Sequence, residues 1–194
     1  MHRLSGVVLI ALGLVACGTP SARERAANAP RTEHPLILEQ DQGEVRTWRP
    51  LVSESPAEQK LDKLTHFIIK VDRRNGGSPD FWFGTETLPV GAGIPYHRHL
   101  HEDELLYIVS GSAHVHVGSL VGDARPGAIV FIPRNTWVSV QPNGKTPISL
   151  LFAFNAPGFD RYMRCEAVPS GQPAQLVTVE EDQRCTKEGD VQYR

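Results

Sequence analysis

From residue 64 onward, apolar and polar positions alternate over short runs that Gly and Pro repeatedly interrupt. The runs are His66–Asp72, Asp80–Leu88, Glu104–Val109, Ala113–Val117, Ala128–Ile132, Trp137–Gln141 and Ile148–Phe154. A period of two puts alternate side chains on opposite faces, so each run predicts a strand with one buried face. The breaks carry turn chemistry: Asn75-Gly76-Gly77, Gly91-Ala92-Gly93, Ser110-Gly111, Gly122-Asp123, Arg125-Pro126-Gly127 and Pro142-Asn143-Gly144. No helical pattern separates the runs, which disfavours a parallel α/β sheet. Many short strands at this spacing predict an all-β sandwich or closed barrel. Upstream, residues 35–54 alternate weakly and predict short strands at Leu36–Glu39 and Val45–Leu51. Ser55-Pro56-Ala57-Glu58 reads as a capping box opening a helix over 56–63. Thr178-x-x-Glu181 predicts a short helix reaching Cys185.

Composition narrows the partners. The 194 residues carry a formal charge of -2, with 40% hydrophobic and 22% charged positions. That is one domain with appendages, and without a basic excess a nucleic-acid partner is not expected.

The first twenty residues carry Arg3, then an uncharged, mostly apolar run from Val7 to Ala16, then Cys17. The run is too short to span a bilayer and has the length of a signal-peptide core. Leu14-Val15-Ala16-Cys17 resembles the lipobox of bacterial lipoproteins, in which a small residue precedes the lipidated cysteine. The resemblance implies a signal peptide over 1–16, lipidation at Cys17 and a membrane anchor. Gly18 follows, with no Asp there to suggest inner-membrane retention, so the expected location is the outer membrane facing the periplasm. Residues 17–34 have few large apolar side chains and read as a flexible tether. Cys165 and Cys185 then remain in an oxidising compartment. A disulfide between them would close a loop of about 20 residues and contribute roughly 3 kcal/mol; the alternative is two free thiols.

Five of the eight histidines lie between residues 97 and 116. His97, His99 and His101 fall at i, i+2 and i+4, so an extended segment would turn all three to one face. Imidazoles on one face suit a first-row metal, and Glu104 supplies a carboxylate nearby. His114 and His116 share parity on another strand and read as surface or supporting residues.

These residues bear a family likeness. Gly91-x5-His97-x-His99-x4-Glu104-x6-Gly111 resembles the first motif of the cupin superfamily, the small β-barrels of germin-like and quercetinase-like proteins. Only His97, His99 and Glu104 together satisfy every position. Gly127-x5-Pro133-x-Asn135 matches the first half of the second motif, with Asn in place of the usual Gly. The family's histidine would fall at Val138 and its later asparagine at Pro142, so the fourth protein ligand is missing. The resemblance covers roughly residues 62–164. It implies a double-stranded β-helix, the cupin jelly-roll barrel, with short flanking helices. The expected organisation is an N-terminal extension over 35–63, the barrel over 64–164 and a tail over 165–194. Tyr107, Phe131 and Trp137 are expected to pack inside the barrel.

The resemblance also implies a divalent metal, Fe, Mn, Ni or Zn, held by His97, His99 and Glu104. Two histidines and one carboxylate leave coordination positions open, the arrangement of non-haem Fe(II) oxygenases. Replacement of the missing ligand by His101, His114 or His116, and a weakened site, are the alternatives. Glu104 is the ligand able to take a proton as well, a catalytic role. Glu102 and Asp103 would either orient a histidine ring N–H or form a solvated loop. The expected activity is dioxygenase-like, on a small organic molecule; the alternative is a non-catalytic module binding a small molecule or metal at the cell envelope. Pairing into a homodimer is a family expectation.

Overall fold

The computed structural model describes residues 33–62 and 64–194. The signal-like run, Cys17 and the tether up to residue 32 lie outside the described residues. Two antiparallel sheets make the body. The first orders seven strands as β11-β1-β2-β3-β10-β5-β8: β11 (Ala167–Pro169), β1 (Glu44–Trp48), β2 (His66–Val71), β3 (Trp82–Leu88), β10 (Ile148–Phe154), β5 (Glu104–Ser110) and β8 (Ile129–Ile132). The second orders five as β12-β4-β9-β6-β7: β12 (Val191–Tyr193), β4 (Ile94–His99), β9 (Val138–Pro142), β6 (Ala113–Val117) and β7 (Leu120–Ala124). Among the described residues the two ladders stay separate, so the jelly roll is a pair of sheets rather than one closed hydrogen-bonded barrel.

Period-two patterning builds the core. Along β3, Trp82, Gly84, Glu86 and Leu88 face inward, and along β10, Ile148, Leu150, Phe152 and Phe154 do so. Both strands are buried at every second position, and they pair directly, Phe154 opposite Trp82 and Leu150 opposite Glu86. Burying such side chains stabilises by roughly 1.5–3 kcal/mol each. Gly84 is required here, because a Cβ would lie 2.1 Å from the Ile68 carbonyl oxygen. Asn135, standing where the motif has Gly, adopts φ 61°, a left-handed conformation that Asn tolerates better than most residues.

The strand at 36–39 does not form; β1 begins only at Glu44. Tyr107 and Phe131 are not interior: they are 40% and 60% exposed. Each has the parity of the outer face of its strand, since Leu106, Ile108 and Ile132 point inward. Trp137 is half-buried and stacks with Tyr96 beside the guanidinium of Arg98.

Among the described residues, three helices flank the sheets. α1 (Pro56–Asp62) has its capping box, with Ser55 N–H donating to Glu58 Oε2 at 2.8 Å. α2 (Phe159–Glu166) buries Phe159, Tyr162, Met163 and Glu166, the i, i+3, i+4, i+7 stripe of a helix packed on a core. α3 (Val179–Glu188) starts at Thr178, whose hydroxyl accepts from Glu181 N–H. Cys165 in α2 is bonded to Cys185 in α3. The stretches read as extension and tail both give strands to the sheets: β1 pairs with β2 and β11, and β12 pairs with β4. Arg164 joins these parts through ion pairs to the buried Asp72, to the buried Asp160 at 2.7 Å and to the half-buried Glu44 at 2.7 Å.

Candidate metal centre

β4 carries His97 and His99 on its inner face, and β5 begins with Glu104. All three are buried, with His97 at 3%, His99 at 1% and Glu104 at 6% exposure. His97 Nδ1–H donates to the Pro95 carbonyl at 2.8 Å, which fixes the tautomer and leaves Nε2 with a free lone pair. His97 Nε2 lies 3.2 Å from His99 Nε2, and His99 Nε2 lies 3.4 Å from Glu104 Oε2. The potential ligand atoms of the three residues lie within 4.8 Å of one another.

These residues fit a divalent ion. Glu104 Oε2 is buried with no hydrogen-bond partner, and so is His99 Nδ1. Unpartnered buried polar atoms are costly and therefore rare. Nitrogen and oxygen ligands about 2.0–2.2 Å from an ion lie roughly 3 Å from each other, close to the spacing of this set. Burial, and then the neighbouring His99, push His97 down to about 4, so its imidazole is neutral, the form that ligates.

Val138 stands directly opposite His97 across the β4–β9 pair and is fully buried. Among the described residues no other histidine replaces it. The chain leaves β4 after His99, so the shared face ends there, and His101 is largely exposed, bonded through Nδ1 to Asp190 at 2.7 Å. His114 pairs with Asp123 on the surface, and His116 meets Tyr96 edge-on.

The neighbouring acids divide. Asp103 binds Arg134 at 2.8 Å and Asn155 at 2.6 Å, which holds its carboxyl down at about 2. It anchors the turn after β8, whose Asn135 N–H donates to the His99 carbonyl at 2.6 Å. Glu102 is 2% exposed and accepts from Phe159 N–H at 2.6 Å and Trp82 Nε1–H at 3.4 Å. It thereby holds the start of α2, and Phe159 sits edge-on to His99 at 4.4 Å between ring centroids. Neither acid accepts a hydrogen bond from a ligand histidine.

A cavity of about 530 Å³ reaches His97 and Glu104. Sequence reasoning missed several of its walls. Glu86 shares the inner face of β3 with Trp82 and Leu88, so an acid at apolar parity was the available signal. Phe159 and Tyr162 belong to α2, whose period of 3.6 is short and ends in Glu166. Tyr193 comes from β12, three residues long, and packs 5.7 Å from His97.

Burial pushes the carboxyls of Glu86, Glu102 and Glu166 up to about 7. Each then binds a proton in the folded state that the unfolded state has lost above its ordinary value of 4.5, so stability falls as pH rises through 7. His97 acts in the opposite direction, but only below its ordinary 6.5. The metal-free protein is therefore expected to lose stability between pH 6.5 and 8. Urea unfolding with a chelator present measures this; stability that rises across that window contradicts it.

Two antiparallel sheets enclosing a His-His-Glu cluster define a small jelly-roll protein with a metal-competent interior. Residues 84–154 match the family model described as the cupin domain. The chain carries a cupin domain, and the two strands that bring His97, His99 and Glu104 together lie within it. Solved structures share the fold. A cupin-superfamily sugar phosphate isomerase from Silicibacter pomeroyi is 18% identical, with 62% of this chain and 75% of that chain covered and a TM-score of 0.51. A predicted oxalate decarboxylase from Thermotoga maritima is 16% identical, with 62% and 99% covered and a TM-score of 0.50. No curated protein matches the chain.

Proposed function

We propose that this chain is a metal-dependent enzyme with dioxygenase-like activity on a small organic molecule. His97, His99 and Glu104 would hold a divalent ion, Fe, Mn, Ni or Zn. The observation that carries the reading is the convergent donor set of His97, His99 and Glu104, in which Glu104 Oε2 has no hydrogen-bond partner and two members line a cavity of small-molecule size. Such an ion supplies Lewis-acid chemistry and, if iron or manganese, redox chemistry. The chain's own residues do the rest. His97 stays neutral through its bond to Pro95 and the burial around it. Phe154 and Phe159 pack edge-on to His99 and exclude water from that side. Glu104 is the ligand that can exchange a proton with the cavity's occupant through Oε2.

Oxygen uptake by the metal-loaded chain against flavonoids, catechols and 1,3-diketones tests the activity. We expect consumption with at least one class, abolished in Glu104→Gln. Binding without oxygen uptake would instead support the second reading, a non-catalytic binding module. Val138 favours that one, because the protein offers three ligands where the family motif offers four.

We further propose that Cys17 is lipidated and anchors the protein to the outer membrane, facing the periplasm. The support is the apolar run ending in Leu14-Val15-Ala16-Cys17. Cys17→Ala is expected to move the protein out of the membrane fraction; unchanged membrane association would refute the anchor.

A further inference from the structure

We propose that the cavity holds a second binding element, formed by Glu86, Glu166 and Asp182, that takes a small organic amine in its ammonium form. The inference rests on the cavity read above as the substrate site and names the class of molecule that occupies it.

Glu166 carries the argument. Glu166 lines the cavity, it is 2% exposed, and its Oε1 is buried with no hydrogen-bond partner. A buried carboxyl oxygen without a donor is an unpaid desolvation that a ligand's N–H would offset. Glu86 and Asp182 line the same cavity. One oxygen of Glu86 accepts from Trp48 Nε1–H at 2.7 Å, and Asp182 Oδ1 receives a long contact of 3.4 Å from the Thr186 hydroxyl. Tyr193 lines the same cavity as the three carboxyls. Its hydroxyl is hydrogen-bonded to Tyr162.

No lining cation is hydrogen-bonded or ion-paired to the carboxyls of Glu86, Glu166 or Asp182 among the described residues. Arg49 Nη2 is committed to the Cys165 carbonyl at 2.7 Å and to Glu181 at 2.8 Å, while its Nε donates to the Glu166 carbonyl. Arg194 lies over the Trp137 ring. Glu54, Glu58 and Asp62 add further acids to the lining. An ammonium entering beside these carboxyls favours their ionised form, and an anionic ligand does the opposite. A neutral alcohol would satisfy one oxygen only, whereas an ammonium offers several donors and a charge that draws the carboxylate form, and the rings of Trp48, Tyr162 and Tyr193 favour a cation beside them.

The test is isothermal titration of the full chain at pH 7 with three matched probes: 2-phenylethylamine, 2-phenylethanol and phenylacetate. The amine is expected to bind about tenfold tighter than the alcohol, with phenylacetate weakest. Glu166→Gln and Glu86→Gln should each weaken the amine about fivefold or more, with bound metal and cooperative unfolding retained. Equal affinity for amine and alcohol, tighter binding of phenylacetate, no binding of any probe, or amine affinity unmoved by both variants overturns the proposal. His97→Ala separates the two readings: if wild type takes up no metal while amine binding persists in both proteins, the metal reading alone has failed.

Discussion

Alanine at His99 is expected to weaken divalent-metal binding by more than about 100-fold, because even partners that merely orient a ligand are worth 10–100-fold. His99 is the middle member of the set, 3.2 Å from the His97 nitrogen and 3.4 Å from the Glu104 oxygen. Its removal leaves two protein donors, too few to hold the ion tightly. His97→Ala should behave alike. His101→Ala is the control: its ring is exposed and held by Asp190, so metal affinity should not move. Competition titration with a chromogenic chelator reads all three. Loss of metal in His101→Ala with retention in His99→Ala would assign the ligands to the wrong register.

The second large effect belongs to Trp82. It is 1% exposed, stacks on Phe154 at 4.5 Å and meets Phe152 edge-on at 5.4 Å. Its Nε1–H donates to the Ala156 carbonyl at 3.0 Å and to Glu102 at 3.4 Å. Trp82→Ala removes a large buried ring and leaves part of the Glu102 carboxyl unpaired, a loss of about 3–5 kcal/mol. For a chain of this size that is a fall in Tm of about 10–15 °C. Trp82→Phe keeps most of the ring and should lose less than half as much. A loss under about 1 kcal/mol in Trp82→Ala would mean the core does not depend on this stack.

Much of this architecture was legible because strands announce themselves by alternation. β2, β3, β5, β6, β8, β9 and β10 fall where period-two runs lie between turn residues. What stayed hidden is short or breaks period. β7 is mostly exposed, so Leu120 and Val121 give no inward and outward contrast. β11 and β12 are three residues each and exist because β1 and β4 offer them an edge. The metal set was legible because His97 and His99 share parity with Glu104 close behind, on strands that the turn between them brings together. The same parity argument placed His101 with them, and it failed because the strand ends at His99, a boundary the alternation does not mark. Tyr107 and Phe131 misled for a different reason: aromatic character suggested burial, whereas parity opposite to that of Leu106 and Ile132 already put them outside. The acid cluster of Glu86, Glu166 and Asp182 draws on three elements far apart in sequence, and only the packing of α2 and α3 on the sheets assembles it.

Elemental analysis of the full chain, purified and then loaded with Fe, Mn, Ni or Zn in turn and freed of excess ion, tests the central claim most directly. The account predicts near one equivalent of at least one of these metals, lost in both His97→Ala and Glu104→Gln. A wild-type chain that retains none of the four, or variants that retain as much as wild type, would contradict it.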